Sequence, residues 1–75
     1  MKIWKLKKPT TDVEHDCMGS PLPFKPAAWV FFLDPTPEAN WAHECSYLAV
    51  PVSGEDPEAV TREWPPRDMD RWEEI

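Results

Sequence analysis

Residues 27–33 read Ala-Ala-Trp-Val-Phe-Phe-Leu and give the strongest indication of secondary structure in the chain. Aromatic and β-branched side chains favour extended structure. Apolar side chains also fill both sets of alternating positions, a pattern typical of a strand with neighbours on either side. The stretch therefore predicts the central strand of a small sheet, which the Asp-Pro-Thr-Pro sequence of residues 34–37 ends.

Two flanking segments are predicted to add strands to this centre. Residues 2–7 (Lys-Ile-Trp-Lys-Leu-Lys) alternate between apolar and charged side chains, which predicts a half-buried strand, and the lysines suit a sheet edge. Residues 41–50 are expected to form a strand that pairs antiparallel with residues 27–33. One helical turn is expected before it, at residues 36–40, because a Thr-Pro-Glu start is typical of a helix N-terminus.

The segments beyond these strands are predicted to be irregular or helical. Three prolines restrict much of residues 9–26 to an extended loop, to which residues 12–17 could add one short strand. Asp56 is a favourable helix cap and Pro57 a favourable first helical residue. A short helix is therefore expected over residues 57–63.

The C-terminal segment, residues 64–75, is predicted to combine a last helical turn or two with a docking function. Asp68 would cap these turns, with Met69, Trp72 and Ile75 on one face. Spaced apolar anchors among acidic and arginine side chains are typical of a peptide that binds in a groove of another protein. Alternatively, the two tryptophans of the segment fold back onto the sheet. The predicted partner-binding residues are Trp64, Arg67, Met69, Arg71, Trp72 and Ile75.

These elements predict a single α+β domain over residues 1–75, with a small antiparallel sheet of three or four strands and short C-terminal helical turns. A chain of this length buries only about 60% of its unfolded surface, so we expect large rings to supply much of the core. The predicted core residues are Trp4, Leu6, Val30, Phe32, Trp41, Tyr47, Leu48, Val50, Val60 and Trp64.

The composition favours binding over catalysis. Five tryptophans among 75 residues give more indole surface than so short a chain can bury, and exposed aromatic rings favour contact with partners. The net charge of −6 argues against nucleic acid, because phosphate binding is driven by cations. We therefore expect a small acidic protein-interaction module, such as an accessory subunit, inhibitor or immunity-type protein. Its partner would be another protein with a basic or apolar groove.

A repeated tripeptide indicates an alternative function. His15-Asp16-Cys17 recurs as His43-Glu44-Cys45, and on strands the His and Cys of each tripeptide would share a face. Two imidazoles and two thiolates form a ligand set for tetrahedral zinc. The alternative is thus a zinc-stabilised mini-domain that uses His15, Cys17, His43 and Cys45. The two cysteines could instead form a disulfide or remain unpaired, buried thiols.

Other function classes lack their sequence signatures. Gly19 and Gly54 are the only glycines, which excludes a Walker loop and a dinucleotide fingerprint. A nucleophile at Cys45, with His43 as base and Asp34 across a hairpin, would lack a glycine for an oxyanion site, so no catalytic residue is predicted. No apolar run reaches about 18 residues and no secretory signal is recognised, so no membrane contact and a cytoplasmic location are expected.

Overall fold

The computed structural model describes residues 1–38 and 42–75 and shows a five-stranded antiparallel sheet. The strands are β1 (Lys2–Leu6), β2 (Ala28–Asp34), β3 (Cys45–Pro51), β4 (Glu58–Arg62) and β5 (Trp72–Glu74). A single 3-10 turn, Met69–Arg71, precedes β5. The order across the sheet is β4-β3-β2-β1-β5, so β4 and β5 form its two edges.

The apolar stretch at residues 27–33 forms the central strand, as its composition predicts. Phe32 of β2 lies opposite Trp4 of β1 on one side and opposite Tyr47 of β3 on the other. The prediction that residues 2–7 form an edge strand is wrong, because β5 pairs with the outer side of β1. Lys5 lies opposite Glu73 in that pair, and opposite charges across two strands stabilise the pairing.

One face of the sheet carries the hydrophobic core. Val30, Phe32 and Tyr47 point to this face and are buried, and the rings of Phe32 and Tyr47 lie 5.1 Å apart. Alternation along β2 and β3 places every second residue here. The buried apolar residues are Leu6, Leu22, Phe24, Ala28, Val30, Phe32, Cys45, Tyr47, Ala49 and Trp72. Trp4, Val60 and Met69 pack against them.

The loop between β1 and β2 covers this core face. Thr10 anchors the start of the loop, because its backbone N–H donates to the carbonyl of Ala28 and its hydroxyl accepts from the N–H of Ala28, both at 2.9 Å. Leu22 and Phe24 then bury their side chains in the core. Of the short strand predicted over residues 12–17, only isolated bridges form, at His15 and Asp16.

The predicted α+β class is wrong, because the chain is nearly all sheet. The helix expected over residues 57–63 is instead strand β4. Val60 and Thr61 are β-branched and favour extended structure, and Val60 lies opposite the buried Tyr47. An isolated helix of this length would be marginal in water, whereas β3 supplies partners for a whole strand.

The helical turns predicted at the C-terminus reduce to the single 3-10 turn before β5. Asp68 precedes this turn with φ 54° and its side chain makes no capping hydrogen bond, so the predicted cap is wrong. Trp72 lies opposite Leu6 of β1, where burial of its ring favours a strand over further helix. Of the turn predicted at residues 36–40, Pro37 and Glu38 form a turn, and residues 39–40 lie outside the described residues.

Several predicted core residues are misplaced. Leu48 and Val50 lie on the other side of β3 from Tyr47 and are only half-buried, because neighbouring residues on a strand point to opposite faces. Trp64 is 36% exposed, whereas Trp72 is 3% exposed and belongs to the core. The predicted core residue Trp41 lies outside the described residues.

An ion pair between a half-exposed arginine and a nearly buried carboxylate ties the loop to the C-terminal segment. The guanidinium of Arg71 donates from both terminal nitrogens to the carboxylate of Glu14, at 3.1 and 2.7 Å. The side chain of Glu14 is 8% exposed and that of Arg71 is 49% exposed. The hydrogen bonds to Glu14 raise the pKa of Arg71 above its ordinary value. Such two-point contacts are stronger than single hydrogen bonds.

Arg71→Ala is expected to lower the free energy of unfolding by about 1–2 kcal/mol, because it leaves the Glu14 carboxylate buried without its cation. Half of the arginine is in solvent, which keeps the loss below that of a fully buried pair. Arg67→Ala, at an exposed arginine, is the matched control. Urea denaturation of both variants measures the difference, and equal losses would contradict a structural role for the pair.

Within residues 1–38 and 42–75, no helix is long and apolar enough to cross a membrane.

Candidate functional site

The second face of the sheet, opposite the core, is the candidate site. Among the described residues, its three inner strands contribute six large apolar side chains, which are Ile3 of β1, Trp29, Phe31 and Leu33 of β2, and Leu48 and Val50 of β3. Ile3 is exposed and the other five are half-buried. The core face is therefore closed, whereas solvent reaches the second face.

Strand register brings these side chains into one continuous patch. Phe31 lies opposite Leu48, and Trp29 lies opposite Val50. Leu33 lies opposite Ile3 on the other side of β2. Directly opposed residues on one face of a sheet have Cβ atoms about 4.5–5.5 Å apart, so the pairs form contiguous apolar rows rather than scattered single residues.

Polar residues border the patch on both sides. Lys5 of β1 lies on the second face, with its ammonium 4.8 Å from the ring centroid of Trp29. Glu73 of β5 lies opposite Lys5, and Thr61 of β4 lies opposite Ser46 at the other border. An apolar centre with a polar rim is the usual anatomy of a protein–protein interface.

The sequence already contained the signal for this patch. The apolar run at residues 27–33 fills both faces of β2, and one layer of loop can cover only one of them. The sequence prediction assigned Leu48 and Val50 to the core and did not single out Trp29, Phe31 or Leu33 as binding residues. A strand that is apolar on both faces needs a covering layer on each side. When the chain is too short to form the second layer, one apolar face stays exposed.

The predicted partner-binding residues of the C-terminal segment do not share one surface. Trp72 is buried in the core and Met69 packs against it, while Arg71 is held by the carboxylate of Glu14. Trp64, Arg67 and Ile75 are exposed. Ile75, which is 71% exposed, donates its N–H to the carbonyl of Ile3 at 2.8 Å, beside the second face. A docking role for the segment stays a prediction.

The predicted zinc ligands are not gathered into a site by the described part of the chain. No group of three or more His, Cys, Asp and Glu side chains there could hold a metal ion. Cys45 is buried, whereas Cys17 is exposed, and both are free thiols rather than a disulfide. The ring of His43 instead contacts the carboxylate of Asp34, with Nε2 and Oδ1 2.7 Å apart. Zinc binding by these residues therefore gains no support from their positions.

The Cys45 thiol sits in surroundings that keep it protonated. Its Sγ donates to the carbonyls of Arg62 and Trp64 at 3.5 Å. Burial, followed by the nearby Asp34 carboxylate, raises the pKa of Cys45 to about 11. The hairpin does bring His43 and Asp34 together as the sequence suggested, but a thiol with a raised pKa is a weak nucleophile at neutral pH.

The hydroxyl of Tyr47 completes this internal cluster. It donates to the carbonyl of Trp64 at 2.7 Å, the same oxygen that accepts from Cys45. Burial raises the pKa of Tyr47 well above its ordinary value. The cluster ties β3 to the segment that follows β4, which is a structural role.

Comparison with known proteins leaves the chain without an assigned family. A scan against protein-family models, a search of curated proteins and a search of solved structures each found no match.

Proposed function

We propose that the chain is a non-catalytic protein-interaction module that binds another protein through the second face of its sheet. The observation that carries the proposal is the row of half-exposed apolar side chains on β2 and β3, beside the exposed Ile3. Contiguous apolar patches on small proteins are typical of interaction sites. The accessory-subunit, inhibitor and immunity-type roles all use such a surface.

The size of the patch suits the centre of an interface. Three strands about 4.8 Å apart, each contributing about five residues of 3.3 Å, span on the order of 200–300 Å². A standard interface buries about 800 Å² on each partner. The patch would therefore be the apolar centre, with the neighbouring strands and the charged border as its rim. Phe31 and Leu48, at the middle of the patch, would be the anchor residues.

The charge of the chain supports a partner with basic groups around an apolar surface. The net charge of −6 would attract such a partner and speed its encounter. Glu73 lies directly at the border of the patch, where it could contact a basic side chain of the partner. We propose neither a nucleic acid nor a membrane as the partner.

The state of the cysteines supports the non-catalytic part of the proposal and a reducing compartment. Cys45 is buried with a pKa raised to about 11, so the thiol that the sequence offered as a nucleophile stays protonated. Both thiols are free, as is usual in the cytoplasm. We therefore propose a cytoplasmic location.

Leu48→Glu tests the proposal, because it places a charge at the centre of the patch without altering the core face. We expect it to abolish partner capture from the native cell extract, since burial of an unpaired carboxylate opposes binding. Met18→Glu, at an exposed apolar residue in the loop, is the matched control and should capture the same protein. Circular dichroism verifies that both variants fold.

The measurement is affinity capture followed by mass spectrometry, comparing wild type with the two variants. A protein retained by wild type and Met18→Glu but lost by Leu48→Glu supports the second face as the site. Equal capture by all three chains would overturn it.

A further inference from the structure

We propose that two copies of this chain pair antiparallel along the free edge of β4, so that the two sheets join into one. This edge is distinct from the second face, and the proposal stands on different observations. It rests on the orientation of the β4 backbone and on the charge pattern of its five residues, Glu-Ala-Val-Thr-Arg.

The register of the sheet shows which backbone groups of β4 are free. Val52 donates to the carbonyl of Ala27 at 3.1 Å, which extends the β2–β3 register and marks a hydrogen-bonded pair. Such pairs alternate along an antiparallel ladder, so Leu48 bonds to β2, whereas Tyr47 bonds to Val60 of β4.

On β4 itself, Glu58, Val60 and Arg62 therefore bond to β3, and the backbone groups of Ala59 and Thr61 point away from the sheet. Both residues are exposed. Among the described residues no other backbone group bonds to their N–H and C=O groups, and such an edge is a template for another strand.

One antiparallel register of two copies uses all of these groups. With Val60 opposite Val60 of a second copy, each Ala59 forms a hydrogen-bonded pair with the other copy's Thr61. If one copy is shifted by two residues relative to the other, the pairing is centred on Ala59 or on Thr61. Part of the edge then stays unpaired. The backbone alone thus favours the register centred on Val60.

The same register places opposite charges together. Glu58 of each copy lies opposite Arg62 of the other, giving two symmetric charge pairs across the joint. In the described part of the chain neither side chain has an ion-pair partner, and the Nε of Arg62 is buried there without a hydrogen-bond partner. Opposed unlike charges favour strand pairing and opposed like charges disfavour it. The second copy therefore fits this edge in charge as well as in backbone pattern.

Sedimentation of the full chain between roughly 10 µM and 1 mM tests the proposal, since a small interface is expected to be weak. We expect a reversible monomer–dimer equilibrium. Glu58→Arg and Arg62→Glu, each alone, should weaken dimerisation about tenfold or more, because each places like charges opposite one another twice.

Two rescue measurements make the assignment specific. The double variant Glu58→Arg/Arg62→Glu restores both unlike pairs and should dimerise nearly as well as wild type. An equimolar mixture of the two single variants should form a heterodimer, since one copy then carries two cations opposite two carboxylates.

Thr61→Pro, which removes an outward N–H, should block dimerisation, whereas Thr61→Val should retain it.

A chain that stays monomeric at 1 mM overturns the proposal, and so does a dimer that is indifferent to the charge exchange. A dimer lost in Leu48→Glu but kept in the β4 variants would place the contact on the second face instead. Partner capture by the Glu58→Arg variant separates the two proposals, because Glu58 lies opposite Ala49, on the core-face side of β4, and capture should be unaffected if only the β4 edge fails.

Discussion

Trp72→Ala should unfold most of the population at room temperature in modest urea, because it removes the largest ring of a small core. Trp72 is 3% exposed and lies opposite the buried Leu6. Truncation of a buried tryptophan lowers the free energy of unfolding by about 3–5 kcal/mol. A chain of 75 residues has a total stability of only about 4–11 kcal/mol, so the loss removes a large share of it.

Trp64→Ala is the matched control, because this ring is 36% exposed. Its backbone carbonyl accepts from Tyr47 and Cys45, and alanine retains that carbonyl. We expect a loss below about 1 kcal/mol. Urea denaturation followed by circular dichroism measures both variants independently of indole fluorescence. Equal losses in the two variants would show that the C-terminal strand is not part of the core.

Trp72→Phe should lower the free energy of unfolding by an amount between the losses of Trp72→Ala and Trp64→Ala. The indole Nε1 of Trp72 is buried without a hydrogen-bond partner among the residues that the structure describes. Phenylalanine removes this unsatisfied donor while keeping much of the ring, so the loss in volume is partly offset.

The stability of the domain should fall steeply in alkaline solution. The pKa of Cys45 is about 11 in the folded chain and 9.0 when unperturbed, so the unfolded chain releases this proton first. Stability then decreases as the pH rises from about 9 and the loss levels off above about 11, where it reaches about 2–3 kcal/mol. The raised pKa of Tyr47 acts in the same direction and extends the decline to higher pH.

Denaturation midpoints measured between pH 7 and pH 11 test this expectation. Cys45→Ala should make the decline above pH 9 shallower and leave the part due to Tyr47, although it also lowers stability at neutral pH by leaving a small cavity. Cys17→Ser, at the exposed cysteine, should keep the full decline. A wild-type chain whose stability is constant to pH 11 would contradict the buried, protonated state of this thiol.

Much of the sheet was predictable because its strongest signals are local. The run at residues 27–33 predicts the central strand, and the alternation at residues 2–7 predicts a half-buried strand. Both strands are present and pair antiparallel. Composition and period act within one segment, so no knowledge of distant contacts is needed to read them.

The errors concern segments whose structure depends on a partner strand. Residues 57–63 carry a good helix start, yet β3 offers a free edge and Val60 packs beside Tyr47. Residues 72–74 become β5 for the same reason, since β1 offers its outer edge to them. Local propensity is a weak influence that tertiary pairing overrides.

The candidate site likewise combines features that local sequence predicts with features that depend on distant contacts. The excess of aromatic side chains, the acidic charge and the apolar character of both sides of β2 can be read directly from the sequence, because they are properties of composition and period. Which face the loop closes, which tryptophan is buried and which strand keeps a free edge become clear only in the folded chain. Those outcomes depend on contacts between segments far apart in the chain, such as Leu6 with Trp72 and Glu14 with Arg71, whose formation no local pattern encodes.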